Sequence, residues 1–323
     1  MRTKKIGGFG AKRRKDLIFY GCMIFLPVLQ YAIFYIGVNF NSIKLSFQQF
    51  EALENNSYKY SFDFSSLFAN YKDVFKKLFT EPTMKTTLKN SLIAYSTILL
   101  IDTPLALLFS YYIMKKFAGN KAFRIILFMP SIISGMVMIY MFQVLVDNLY
   151  PEMMGNILNL SRKETIKYKL LTNPNTRLGA IIVYRLFLGF GLNVLLYTGA
   201  MSGVSEEMME AARIDGVTDW GEFVHIVLPS VWKTLTTFLV VGVAGFFTNN
   251  LGIFDLYGEH ADSSIWTLGY YMYRFTVIAG EGGDTQFKMY PFLSAMGIVF
   301  TLFAFPMSML VKRACEKFGP SEE

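Results

Sequence analysis

Six stretches of the chain, 17–40, 91–114, 122–146, 178–201, 230–254 and 291–311, stay apolar for longer than a soluble fold needs. A run of about 18 or more such residues reads as a transmembrane helix, because a hydrocarbon core of about 30 Å takes about 20 residues at 1.5 Å each. The first run, LIFYGCMIFLPVLQYAIFYIGVNF, covers about 36 Å at that rise, enough to cross with some tilt. It is too long for the core of a cleaved signal peptide and lacks a small-residue cleavage site, so it is retained as a span. Pro27, Pro104, Pro130 and Pro306 fall inside spans, where neighbouring helices tolerate the kinks. The expected fold is therefore an all-α polytopic membrane protein with six transmembrane helices.

Six spans place both termini on one side. Seven basic residues lie between Arg2 and Lys15, which makes that side the cytoplasm. Lys115, Lys116, Lys121 and Arg124 then face inward, as do the segment 205–229 and the group Lys312, Arg313 and Lys317. The outward segments carry Lys72, Lys76, Lys77, Arg162, Lys163, Lys167 and Lys169, so parity and the N-terminal cluster decide the orientation. The chain divides into a basic cytoplasmic N-terminus (1–16), a first span (17–40), an extracytoplasmic loop (41–88), a core of five spans (89–312) and a cytoplasmic tail (313–323). The net charge of +7 suits cytoplasmic loops against anionic lipid, with no nucleic-acid-binding signature present. Cys22 and Cys315 read as free thiols. Ile265, Leu268, Met272, Phe275 and Ala279 recur at helical spacing. They predict an amphipathic helix in the outer interface, with Trp266, Tyr270, Tyr271 and Tyr273 at headgroup level.

The segment 205–229, SEEMMEAARIDGVTDWGEFVHIVLP, is charged and helix-forming between two apolar runs. Ser205 can cap a helix whose first turn holds Glu206 and Glu207, favourable to the dipole. Met208, Ala211 and Ala212 then fall on one face. Asp215-Gly216 ends this helix, since glycine takes a left-handed turn cheaply. Thr218 or Asp219 starts a second short helix carrying Trp220, Phe223 and Val224, and Pro229 suits the first turn of the next span. The segment holds no nucleophile–base pair, metal cluster or glycine-rich phosphate loop.

Its spacing, Glu210-Ala211-Ala212, three residues, Gly216, nine residues, then Ile226-x-Leu228-Pro229, resembles the EAA loop of binding-protein-dependent ABC importers. Thr87-Leu88-Lys89-Asn90-Ser91, Phe123-Arg124, Met129-Pro130, Phe25-Leu26-Pro27, Lys44-Leu45-Ser46-Phe47 and Gly269-Tyr270-Tyr271-Met272-Tyr273-Arg274 are similar to the carbohydrate branch of that family. The resemblance implies the permease subunit of a type I importer in a bacterial inner membrane. It implies a second homologous permease, two cytoplasmic ATPase subunits, an extracytoplasmic binding protein and a sugar substrate. Glu210, Ala211, Ala212, Asp215, Gly216, Ile226, Leu228 and Pro229 would couple to the ATPase. The chain itself would be no enzyme and bind no cofactor, with ATP and Mg on the ATPase subunits. Consistent with this, no Gly-Lys dipeptide occurs, and a phosphate-binding G-x-x-x-x-G-K-[ST] loop needs one.

Contacts to the solute in maltose-type relatives come largely from the spans that flank the EAA loop. The resemblance places the path on Arg185, Gly189, Leu192, Gly245, Phe246 and Asn249, and the polar faces of the same spans add Asn193 and Tyr197. The two asparagines also suit hydrogen bonds between helices. Asp102 and Arg185 each cost about 2.5–3.5 kcal/mol at a helix centre on insertion scales, so such residues face an interior or a watery cavity. Asp102 suits a bond at the Pro104 kink. Arg185 suits an ion pair, or the acidic group of a sugar or a glycerol-phosphate. An ion-coupled secondary transporter and a non-transporting scaffold are the rival readings. The first would favour intramembrane carboxylates and inverted repeats, for which Asp102 is a lone candidate.

Overall fold

The computed structural model describes residues 8–53, 58–161, 163–277 and 284–320. The chain forms two compact units, one of residues 1–74 and 283–298, the other of 75–282 and 299–323.

In the first unit α1 (Gly8–Gln30) runs through a π-helical stretch (Tyr31–Gly37) into α2 (Val38–Ser46). The side chains from Leu17 to Phe40 are exposed almost throughout, an apolar surface suited to lipid rather than water. A hairpin of β1 (Gln49–Ala52) and β2 (Tyr58–Ser61) comes next, with Phe50 opposite Tyr60. The first half of α3 (Ala69–Thr80) locks the end of α2. Asn70 donates to the carbonyls of Ser46 and Gln48 at 2.9 and 2.8 Å, and the Tyr71 and Ser46 hydroxyls lie 2.7 Å apart.

The second unit begins its main body with α4 (Pro82–Thr97), which continues through a π-helical stretch (Ile98–Asp102) into α5 (Thr103–Met114). This rod starts nine residues before the apolar run at 91 does, because Pro82 presets the first turn. Buried polar residues also hold the added turns. Asn90 donates to the carbonyls of Ser264 and Trp266 at 2.8 and 3.0 Å, and Ser91 accepts from the Leu268 amide at 2.8 Å.

The third apolar run is not one rod. It forms α6 (Asn120–Ile132) and α7 (Gly135–Val144), and α7 continues through a π-helical stretch into α8 (Tyr150–Leu158). The axis bends by 102° between α6 and α7. Pro130 removes a hydrogen bond from the last turn of α6, and Ile133 and Ser134 then take extended ψ angles of 143° and 133°. Among the described residues, counting the bent pair as one span gives six candidates by length and composition, and five without it.

After α9 (Arg177–Met201), the charged segment forms α10 (Glu206–Ile214) and α11 (Asp219–Glu222). A π-helical stretch and α12 (Leu228–Ser230) lead into α13 (Trp232–Thr248). The fifth apolar run breaks here too. The Asn249 and Asn250 side chains accept from the amides of Leu251 and Gly252, two residues on, and turn the chain before α14 (Ile253–Tyr257).

The predicted interfacial helix is α15 (Leu268–Val277), but it does not lie on the surface. Ile265, Trp266, Leu268, Tyr270 and Tyr271 are all buried, since the loop before α15 is drawn onto α4 by Asn90 and Ser91. Tyr273 is at the edge of exposure, and Ala279 lies outside the described residues. The last helix, α16 (Asp284–Phe318), extends the run 291–311 at both ends, and its Cys315 carbonyl accepts from the Trp232 indole at 2.9 Å. Cys22 and Cys315 are free.

The core of this unit lies where α5, α9 and the chain entering α13 meet, with Ala106, Val194, Met201, Val227 and Val231 buried. Ser110 of α5 donates to the Val194 carbonyl at 2.9 Å. A Cβ added at Gly191 would lie 2.1 Å from the Leu127 carbonyl oxygen, so α6 and α9 pack backbone to side-chain-free backbone. Gly191→Val is expected to destabilise the protein by about 1–3 kcal/mol, as overpacking does. Thermal unfolding in detergent checks this against Gly179→Ala, where an added Cβ meets nothing within 4 Å.

Candidate functional site

Two features of the second unit answer to the sequence-predicted residues. The first is a cavity of about 500 Å³ between the α4–α5 rod, α9 and α13. Arg185, Gly189, Leu192, Asn193 and Tyr197 of α9 line it, with Gly245 and Phe246 of α13 and Asn249 just beyond. The expected path residues therefore share one wall-lined space.

The polar centre of the cavity is Asp102, only 4% exposed. Its Oδ2 accepts from Asn193 Nδ2 at 2.6 Å, and its Oδ1 is buried with no hydrogen-bond partner among the described residues. Asp102 thus bonds across to the next helix rather than serving only the Pro104 kink. The Arg185 side chain is exposed and joins no carboxylate in an ion pair among the described residues.

The sequence reading missed the contribution of the rod. Tyr95, Ser91 and Thr103 also line the cavity, and the Tyr95 ring meets Phe246 edge-on at 6.1 Å. The signal was present, since Ser91, Tyr95, Asp102 and Thr103 are among the polar and aromatic residues that interrupt a mainly aliphatic run. The neighbouring Tyr184 ring packs against Phe142 of α7. Apolar walls with a few convergent polar groups and aromatic rings suit a polyhydroxylated solute, which offers both hydroxyls and flat C–H faces.

The second feature is the α10–α11 knob. Ser205 caps α10 by accepting from the Met208 amide at 3.4 Å, and Thr218 caps α11 by accepting from Gly221 at 3.2 Å. Gly216 takes φ +77° between the two helices. The inward face of α10 is Met209 and Ala212, while Met208 and Ala211 are exposed. Glu210, Ala211, Asp215 and Gly216 are exposed. Ile214 at 86% and Trp220 at 65% exposure add an apolar surface beside them. Ile226, Leu228 and Pro229 are half-buried on the way into α13.

Under the knob lies a buried polar cluster. Glu222, 1% exposed, accepts from Lys115 Nζ at 2.9 and 2.8 Å, and Asp219 lies 3.0 Å from the same Nζ. Removing one partner of such a buried pair costs about 3–5 kcal/mol.

Residues 102–317 match the family described as binding-protein-dependent transport system inner membrane component. The chain belongs to this family. It is a multi-pass membrane protein, with several helices apolar and long enough to cross a bilayer. It is 21% identical over 295 residues to the multiple sugar-binding transport system permease protein MsmF of Streptococcus mutans, covering 91% of this chain and 94% of MsmF. To the arabinooligosaccharides transport system permease protein AraP of Bacillus subtilis it is 23% identical, covering 71% of each. To the maltose/maltodextrin permease MalF of Salmonella typhimurium it is 28% identical, over 52% of this chain and 33% of MalF. The fold is that of a chain in the crystal structure of a bacterial ABC transporter that imports the acidic polysaccharide alginate. The match has a TM-score of 0.71 at 19% identity and covers 95% of this chain and 98% of that one.

Asn193→Leu is expected to leave the Asp102 carboxylate with no donor and to lower stability by about 1–3 kcal/mol. The double change Asp102→Leu/Asn193→Leu should recover most of that loss, and thermal unfolding of the two variants checks the difference.

Proposed function

We propose that this chain is the membrane-spanning permease of an ATP-driven importer and forms half of the path for a sugar or oligosaccharide. The observation that carries the reading is the cavity, walled by spans two, four and five, in which Tyr95, Arg185, Asn193, Phe246 and Asn249 meet. The sugar-transport names of MsmF, AraP and MalF support the substrate class. The orientation places both termini and the α10–α11 knob in the cytoplasm of a bacterium, in its inner membrane, as the N-terminal basic cluster favours.

In this scheme an extracytoplasmic binding protein delivers the solute, and a second homologous permease completes the path. Two ATPase subunits hold ATP and Mg, and this chain is not an enzyme. The exposed side of the segment 210–216, with Glu210, Ala211, Asp215 and Gly216, meets an ATPase subunit. Ile226, Leu228 and Pro229 carry its motion into span five. Ligand shifts the balance of states only by its difference in affinity for them. The exposed Arg185 side chain, in no ion pair among the described residues, favours an acidic sugar as a second reading within the same function, in keeping with the alginate importer that shares the fold.

Gly216→Val would force a branched residue into φ +77°, and Glu210→Lys would reverse the charge of the exposed face. Both are expected to insert normally and to lower uptake by about 5- to 150-fold, the range of a 1–3 kcal/mol coupling free energy. Normal uptake at wild-type expression would sink the docking assignment. For the acidic sugar, Arg185→Gln is expected to raise the concentration of uronate-bearing substrate that half-stimulates ATP hydrolysis. An unchanged concentration dependence would leave only the neutral-sugar reading.

A further inference from the structure

The α10–α11 knob is attached to the unit by the chain at its two ends, by the packing of Met209 and Ala212, and by a polar cluster. The chain joins it to α9 through 202–205, and to α13 through the π-helical stretch and α12. The third attachment is the polar cluster at the end of α5. Lys115 Nζ bonds both oxygens of Glu222 at 2.9 and 2.8 Å and lies 3.0 Å from Asp219 Oδ1. The Tyr111 hydroxyl, one turn back on α5, lies 2.9 Å from the Asp219 carbonyl oxygen and 3.3 Å from Glu222 Oε1. Arg213 Nε, in the last turn of α10, lies 3.8 Å from Glu222 Oε2. Glu222 therefore bridges α10, α11 and α5.

This attachment is built to hold. The Lys115 side chain is 5% exposed, so water competes little for the pair. Phe223 packs on Tyr111 at 5.1 Å and Trp220 packs on Phe223 at 5.6 Å, closing the cluster from one side. Two carboxylates face one lysine and one arginine, so the charges balance. Glu222 does not lie on the exposed side of the segment 210–216, which leaves it free of the docking contact itself. The rod that ends in Lys115 carries Tyr95, Asp102 and Thr103 into the cavity wall.

We propose that Lys115 and Glu222 are positioning residues that tie the knob to span two, so that displacement of the knob moves spans two, four and five together. The inference rests on the knob being the ATPase-coupling element. The pair then decides how much solute is moved per ATP, while association with the ATPase is left to the exposed face.

The test uses the full complex, purified with its ATPase and binding protein and reconstituted in liposomes. Lys115→Met and Glu222→Gln are expected to keep ATPase capture and at least half of the hydrolysis rate, while solute imported per ATP falls about fivefold or more. Lys115→Arg keeps a cation beside both carboxylates and should retain at least half of the wild-type ratio. Glu222→Asp keeps the charge balance but is one methylene short, and should lower the ratio about twofold even if the single neutral variants fail to reach the membrane. A wild-type ratio in Glu222→Asp and the neutral variants overturns the inference. So does loss of ATPase capture in step with hydrolysis, which would make the pair only a builder of the docking face. Failure of the wild-type chain to capture an ATPase would overturn the proposed function itself, and this inference with it.

Discussion

Ala106 and Ser110 are small and fully buried where α5 lies along α9, and Ser110 donates to the Val194 carbonyl across the contact. In lipid there is no hydrophobic gain from bringing two helices together, so small residues and hydrogen bonds between backbones do that work. Much of the second unit leans on this contact. Asn193 reaches Asp102 because Val194 is fixed one residue away, and Met201 and Val227 close the same core where the chain leaves α9 and returns to α13. The cavity on one stretch of the α5–α9 contact and the knob beyond its end are thus built on a shared support.

Such a support suits the proposed scheme, in which energy enters at one surface of the chain and solute is handled at another. The knob offers shape, one conformationally demanding glycine and an apolar edge of Ile214 and Trp220. The cavity offers aromatic faces and a few polar groups. Chemistry, in the proposed scheme, is borrowed from a partner, and this chain contributes mechanical continuity between two surfaces.

The helical, multi-pass nature of the fold was legible because apolar length is a coarse signal that survives any arrangement of neighbours. The caps of the knob were legible for a different reason: Ser205, Gly216 and Thr218 act within four residues of themselves. What escaped depended on partners far along the chain. The first turns of α4 are polar and look like loop until Asn90 and Ser91 meet the backbone near residues 264–268. Trp266, Tyr270 and Tyr271 look like an interfacial belt, because aromatic composition does not distinguish headgroups from a protein interior. Tyr95 was passed over as part of a hydrophobic run. The break in the third run was masked because Pro130 alone is compatible with a mild kink, and Ile133 and Ser134 set the angle.

That break also changes how the chain tolerates alteration. Each residue inserted in a continuous α-helix turns everything after it by about 100°, since 3.6 residues make a turn. Ile133 and Ser134 are extended, so α7 does not inherit its rotation from α6. The face that α7 shows to Tyr184 and, through Gln143, to the Leu256 carbonyl is therefore set locally. The junction at 133–134 works as a joint at which the length of α6 can drift without re-registering α7 and α8 beyond it.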